Sequence, residues 1–366
     1  MDTNQIIVTY GNDPAKMTKD ILDAAGLAGR LPDKKSLIGL KPNLVVAKPA
    51  SSGATTTPAI LAGTIEYLQE HGYHNLLILE GSWVGDSTTR AFKVCGYDAL
   101  SKKYNVPLFD TKSDKYESRS YGGLTMEISR KALEVDYLIN MPVLKGHCQT
   151  IVTGALKNMK GIISDREKRH FHTLGLHKPI AYLNKILCAD FIIGDGMCGD
   201  LDFEEGGNPV QMNRVFCGID PVLIDSYIAS SMGYSPDDIR YIQIAAEIGV
   251  GSKDLDHAAI TELNKDTTPV KPAASRKVQQ LARYARQDDA CSACYANLIQ
   301  ALARLDDAGK LRYLQKTPVC IGQGFKGKSE ACPGVGSCTR DFADSVPGCP
   351  PKTPEILRFL TDYIAK

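Results

Sequence analysis

The chain has 366 residues, 43% hydrophobic and 23% charged, enough for one large domain plus a smaller one. Its 43 basic and 42 acidic residues nearly cancel, so nothing points to nucleic acid or an acidic membrane surface as partner. No apolar run approaches the roughly 20 residues of a membrane span. The start, MDTNQIIVTYGND, lacks the positive and apolar regions of an export signal, and a cytoplasmic location is expected.

In chain order, Ser36 to Val46 opens a sheet, with Lys41 and Asn43 at the strand's exit beside Pro42. Thr57-Pro58 starts a helix on which Ile60, Leu61, Ile65 and Leu68 recur at helical spacing. Leu76 to Leu79 is a buried strand, Arg90 to Tyr104 a helix, and Val106 to Phe109 a short strand. Tyr137 to Asn140 is another buried strand, stopped by Pro142. The segment after Thr150 reads as a helix ending at Gly161, with Lys157 and Lys160 on one face and Asn158 beside them. Ile180 to Leu187 is helical, and Phe191 to Ile193 is a strand ending at Asp195 between two glycines. Val215 to Cys217 is a further strand. Asp220-Pro221 then starts a helix that carries Asp225 among apolar neighbours. Ser235-Pro236 starts the next, which runs to Glu247. Strand–helix alternation of this kind predicts an α/β fold, a mostly parallel or mixed sheet covered by helices. It fills residues 1–254. A polar linker follows over 255–274, then a small helical, Gly-rich and Cys-containing segment over 275–366. In that segment Arg276 to Arg304 and Thr353 to Ile364 read as helical.

Polar chemistry concentrates between Leu138 and His177. Lys145 and His147 follow the strand, then Lys157, Asn158 and Lys160, then His170, His172 and His177. From Lys157 to Lys178 there are six Lys/Arg against two acids. A local positive field just after a strand suits a small anionic substrate, because open α/β sheets bind ligands at strand ends. A solvated basic loop gives the same composition. On the functional reading, Lys145, Lys157 and Lys160 hold a carboxylate or phosphate and His147 or His170 moves a proton. Asp195 and Asp225 orient them, and Lys41, Asn43, Asn158 and His172 complete the substrate contacts. A second metal at His170, His172 and His177 is the alternative for those side chains.

Eleven cysteines, an odd total with no export signal, argue for a reducing compartment and a cysteine-ligated metal. Six fall between Cys291 and Cys349. Cys291 and Cys294 form a C-x-x-C pair after Asp288-Asp289, and Cys338 and Cys349 sit in glycine-flanked turns. We expect Cys291, Cys294, Cys338 and Cys349 to ligate a 4Fe–4S cluster, with zinc as the alternative. Cys320, in Val319-Cys320-Ile321, has the setting of a core residue, and Cys332 competes with Cys338 for one place.

Several short motifs occur in order: Leu40-Lys41-Pro42-Asn43, Pro142-Val143-Leu144-Lys145-Gly146-His147, and Gly154-Ala155-Leu156-Lys157-Asn158-Met159-Lys160-Gly161 with His170 downstream. Asp195-Gly196, Gly218-Ile219-Asp220-Pro221 with Asp225, and Gly249-Val250-Gly251 follow. Over residues 36–252 the chain resembles the prokaryotic family called domain of unknown function 362. The resemblance implies an α/β fold, an anaerobic setting, iron–sulfur content and a site around Lys145, His147, Lys157, Asn158 and His170. It implies no known reaction. A more distant similarity is to the nickel-pincer lactate racemases, through Lys157 or Lys160 with His170. Three functions follow as expectations: an iron–sulfur oxidoreductase; a non-redox racemase, lyase or ligase with a structural cluster or zinc; and an electron-transfer or binding protein with a partner protein.

Overall fold

The computed structural model describes residues 1–266, 277–290 and 292–366. The chain divides into two compact units, residues 1–168 with 176–273, and residues 169–175 with 274–366.

The first unit is built on an eight-stranded sheet. Its strands are β1 (Gln5–Tyr10), β2 (Ile38–Pro42), β3 (Leu76–Glu80), β4 (Leu108–Asp110), β5 (Tyr137–Met141), β6 (Phe191–Asp200), β7 (Pro209–Gly218) and β8 (Ala259–Glu262). The order across the sheet is β8-β1-β7-β6-β5-β2-β3-β4. Seven strands run in one direction and β7 runs against them. This is the mixed, mostly parallel sheet expected from the alternating pattern.

Alternate strand residues Ile38, Leu40, Ile78, Ile139 and Ile193 join Ile21, Leu22, Ile60 and Leu68 of the helices Pro14–Ala24 and Pro58–Glu70 in one core. The intervening residues Leu77, Leu79, Leu138 and Ile192 are buried as well. Side chains alternate faces along a strand, so both faces of the central strands are covered. Each fully buried Leu or Ile contributes roughly 1.5–3 kcal/mol.

Several elements differ from the sequence-based expectation. β1 precedes the strand expected to open the sheet. The helix expected over Arg90 to Tyr104 breaks at Gly96 (φ +81°) into Thr88–Val94 and Tyr97–Tyr104. The segment after Thr150 is not one helix. Ile151–Thr153 is a strand paired with Lys145–His147, a helix covers only Ala155–Asn158, and a tight turn covers Met159–Ile162. The β-branched run Ile151-Val152-Thr153 favours the extended form. Asp195 lies in the middle of a ten-residue strand, not at its end. The polar 255–274 stretch contributes β8 as an exposed edge strand beside β1, and its residues 267–274 lie outside the described residues.

The second unit carries a four-stranded parallel sheet, Ala285–Gln287, Val319–Ile321, Gly334–Val335 and Ser345–Val346 in that order. The strand Ala285–Gln287 interrupts the helical region expected from Arg276 to Arg304, leaving helices Lys277–Ala282 and Ser292–Asp307. The helix Thr353–Ala365 closes the chain and packs on Ser292–Asp307. Among the described residues no helix is long and apolar enough to cross a membrane.

Candidate functional site

The carboxyl ends of the parallel strands gather the polar residues. Lys41 of β2 stands in register with Asn140 of β5, and Glu80 ends β3. Ligands in open α/β sheets bind at this edge. After β5 the chain forms the short hairpin Lys145–His147 with Ile151–Thr153. Lys145 and His147 are two apart on a strand and so share a face.

The buried ammonium of Lys41 is 2.9 Å from a Glu80 carboxylate oxygen and 3.2 Å from the Pro42 carbonyl. The other Glu80 oxygen accepts from the Gly81 amide at 2.7 Å. Lys41, expected at the substrate, is thus held inside the fold by its own counter-ion.

A directed chain of hydrogen bonds crosses the strand ends. Lys145 Nζ donates to Asn43 Oδ1 (3.0 Å), Asn43 Nδ2 to Asn158 Oδ1 (2.8 Å), Asn158 Nδ2 to Asn140 Oδ1 (2.7 Å), and Asn140 Nδ2 to the Ala155 carbonyl (2.9 Å). Lys145 Nζ also donates to the carbonyls of Ala54 (2.5 Å) and Glu204 (3.0 Å). An ammonium has three protons, so Lys145 is saturated. Burial pushes it down to about 8. Asn43 and Asn158, expected as substrate contacts, are links of this brace.

Glu204, on the β6–β7 loop, is the centre that sequence reasoning missed. One carboxylate oxygen accepts from Lys157 Nζ, and the other lies 3.3 Å from His147 Nε2. Burial works against its charge, yet Lys157, His147 and Lys145 hold it well below the usual carboxylate range. The neighbouring Glu205 is raised, by burial and then by the charge of Glu204. The Glu204-Glu205 pair before Gly206-Gly207 is the sequence signal that could have pointed to it.

The ring of His147 has a set tautomer. Its Nδ1 accepts from the amides of Gln149 (3.0 Å) and Thr150 (3.1 Å), so the ring proton sits on Nε2 and faces Glu204. Burial, then the charge of Lys157, pushes His147 down to about 4. It is a neutral donor at neutral pH, with no vacant nitrogen to take a proton.

Lys157 and Lys160 remain. Lys157 has two ammonium protons beyond its bond to Glu204. Lys160 is half-buried and its side-chain amine makes no hydrogen bond or ion pair with any described residue. Burial, then the charge of Lys157, pushes Lys160 down to about 7. These two side chains carry amine protons that no described residue accepts.

Asp225 and Asp195 serve the backbone. Both oxygens of the buried Asp225 accept amide protons, from Ala155 and from Leu156 (3.2 Å), at the start of the helix that carries Lys157. Gly154 lies so close that a Cβ there would stand 2.1 Å from Asp225 Oδ1. Asp195 accepts from the amides of Thr57 (2.7 Å) and Met197 (2.9 Å). Burial raises Asp225 to about 7 and Asp195 to about 6. His170 and His172 lie on the helix Asp165–Thr173, in a segment that groups with the second unit. His177 stacks on Tyr241 with ring centroids 6.3 Å apart.

In the second unit, Cys294, Cys338 and Cys349 line one recess with Gly322, Gly336 and Gly348. Cys291 lies outside the described residues. Cys320 is fully buried and packs with Phe325, Phe342 and Cys332 in a separate small core. Cys332 therefore neighbours Cys320, while Cys338 belongs to the recess. Among the described residues no three His, Cys, Asp or Glu side chains converge closely enough to hold a metal ion.

Fold and site together define an open α/β protein with a cluster of buried cations at the carboxyl ends of its parallel strands. Residues 38–230 match the family described as Domain of unknown function (DUF362), more than half of the chain, and the chain belongs to that family. The match includes the lysine cluster and Glu204 and stops short of the late cysteines, Cys294 to Cys349. The chain is 22% identical over 239 residues to the thylakoid-associated protein sll1697 of Synechocystis sp., covering 63% of this chain and 74% of that one. Among solved structures it is similar to the lactate racemase apoprotein from Thermoanaerobacterium thermosaccharolyticum. That likeness has a TM-score of 0.38 and 17% identity, over 60% of this chain and 55% of the other.

Proposed function

We propose that the chain is an enzyme that binds a small carboxylate- or phosphate-bearing substrate at Lys157 and Lys160 and performs proton-transfer chemistry there. The observation that carries this is donor accounting. Lys145 and His147 are saturated by the fold, whereas Lys157 keeps two protons and Lys160 all of its own. Burying cations costs free energy unless they are paired, so an incompletely paired buried cluster points to a ligand. Lys160, pushed down to about 7, also takes and gives a proton near neutral pH, which His147 does not. This favours a racemase- or lyase-like activity over direct redox chemistry at the pocket. The test is titration with inorganic phosphate and with pyruvate. Lys157→Ala should weaken binding at least about tenfold with the fold intact, the equivalent of about 1.4 kcal/mol. Unchanged affinity would remove the site.

A second reading concerns the cysteine-rich unit. We infer a 4Fe–4S cluster held by Cys294, Cys338 and Cys349, with Cys291 as the fourth ligand and zinc as the alternative. Three of the four thiols line one recess, and a Cβ at Gly336 would stand 3.9 Å from Cys294 Sγ, so a glycine borders the room a cluster needs. Such a cluster supplies one-electron transfer or structural closure, and it makes an oxidoreductase with an electron-transfer partner the competing function, in a reducing cytoplasm. Anaerobic purification with metal and sulfide analysis should give about four irons and four sulfides per chain. Cys338→Ser should lose them, and Cys320→Ser should keep them. One zinc and no sulfide would leave the redox reading without support.

A further inference from the structure

Lys160 differs from the other lysines of the cluster. Lys145 and Lys157 are buried and hydrogen-bonded, whereas Lys160 is half-buried and its amine has no partner among the described residues. Its base is rigid. It sits in the tight turn Met159–Ile162, where the next residue, Gly161, accepts at its carbonyl from Thr111 Oγ1 at 2.6 Å. Gly161 also lies against the Lys41–Glu80 pair, where a Cβ would meet Glu80 Oε1 at 1.8 Å. The amine is therefore untethered at its head and fixed at its root. Lys157 and Lys168 oppose its protonation and Glu204 favours it. A primary amine without a hydrogen-bond partner among the described residues, partly desolvated and beside another cation, has the setting of a carbonyl-attacking lysine.

We propose that Lys160 forms an imine with the carbonyl carbon of a small 2-oxo acid whose carboxylate is held by Lys157. This deepens the anion-site reading above and rests on it. The amine lone pair adds to the carbonyl carbon, and a C–N bond forms. The carbinolamine then loses its oxygen as water, taking the amine's protons with it, and a C=N bond replaces C=O. No electron is gained or lost, so the step needs no oxidant or reductant. Once the imine nitrogen takes up a proton from solvent, it draws electrons from the adjacent carbon, which is what proton removal or carbon–carbon cleavage there requires.

The test uses the full chain with pyruvate as probe and sodium borohydride to reduce any imine to a stable secondary amine, near neutral pH. Peptide mapping by mass spectrometry should find one reduced pyruvate adduct, on Lys160. The adduct should be absent from Lys160→Arg and from Lys160→Ala, and form about tenfold more slowly in Lys157→Ala, the effect of losing one charge-assisted contact. Adducts spread over exposed lysines, or no adduct, would overturn the proposal. Calorimetric titration with pyruvate alone separates the two ideas. Binding without an adduct removes the imine and leaves the anion site standing, and neither binding nor adduct removes both. Circular dichroism on each variant identifies any that fails to fold, and the second Lys160 substitution then decides.

Discussion

Two groups of buried lysines lie at the carboxyl ends of the same parallel strands, and they are built in opposite ways. Lys41 meets one carboxylate, Glu80, and that carboxylate is filled by the ammonium and by the Gly81 amide. Around Glu204, three lysines and a histidine share one low carboxylate, a second carboxyl that is raised, and a backbone brace. Burial of a lysine is common to both. What separates a structural pair from a binding site is whether the fold gives each ammonium a bonded partner. Lys41 is pushed down by burial and partly restored by Glu80, its bonded counter-ion. Lys160 is pushed down by burial and by Lys157, and nothing in the described fold bonds to it.

The sharpest way to break this contrast is Glu80→Gln. It leaves the Lys41 ammonium buried without its counter-charge and should cost roughly 3–5 kcal/mol in urea unfolding. The double change Lys41→Met with Glu80→Leu should recover most of that. If the single change proves harmless, the closed pair is not structural. Next in size is Gly154→Ala, which forces a methyl into Asp225. It should cost roughly 1–3 kcal/mol and lower pyruvate affinity through a displaced Lys157. Equal stability and affinity would show that Asp225 does not set the helix carrying Lys157.

Glu204→Gln should act in the other direction on ligand. Removing the charge that competes for Lys157 should raise phosphate affinity about fivefold, the worth of roughly 1 kcal/mol. A loss of affinity would mean that Glu204 orients Lys157 and does not compete for it.

The remaining expected effect is a pH slope. The folded-state value of Lys160 is about 7, below that of an unfolded lysine near about 10.4. Between those values the unfolded chain binds more protons, so stability should rise with pH across the window. Lys145 and Lys168, each pushed to about 8, tilt the same limb. Lys160→Met should flatten it, most visibly between pH 7 and 8, where the other two still hold their protons. An identical slope would show that Lys160 is protonated and paired in the folded chain.

Much of the sheet was legible from sequence, because its central strands are continuous apolar runs such as Leu76 to Leu79 and its helices open on cap-plus-proline signals such as Asp220-Pro221. The Asp220 side chain does accept from the amides of Val222 and Leu223. The edge strand β8 was not legible. β8 reads Ala-Ile-Thr-Glu, is exposed throughout, and exists only because β1 offers it a partner. In the site, residue types in the Lys145–Lys160 stretch drew attention to the right place, but their roles did not follow. Lys41, Lys145, Asn43 and Asn158 looked like ligand contacts and are internal bonds of the fold. Asp225, read as an orienting acid, bonds the backbone amides of Ala155 and Leu156 and the side chain of Tyr241.

Glu204 shows why. It stands 47 residues beyond Lys157 in the chain and reaches it through a loop between two antiparallel strands. Composition and periodicity by themselves settled the α/β class, the excess of cations after β5 and the clustering of thiols near the end of the chain, since these depend on neighbours in sequence. Which cations keep a proton to offer, which tautomer His147 adopts, and which of Cys332 and Cys338 faces the recess were decided by tertiary structure. Each depends on hydrogen-bond and packing partners brought together from distant segments, and local pattern carries no information about who those partners are.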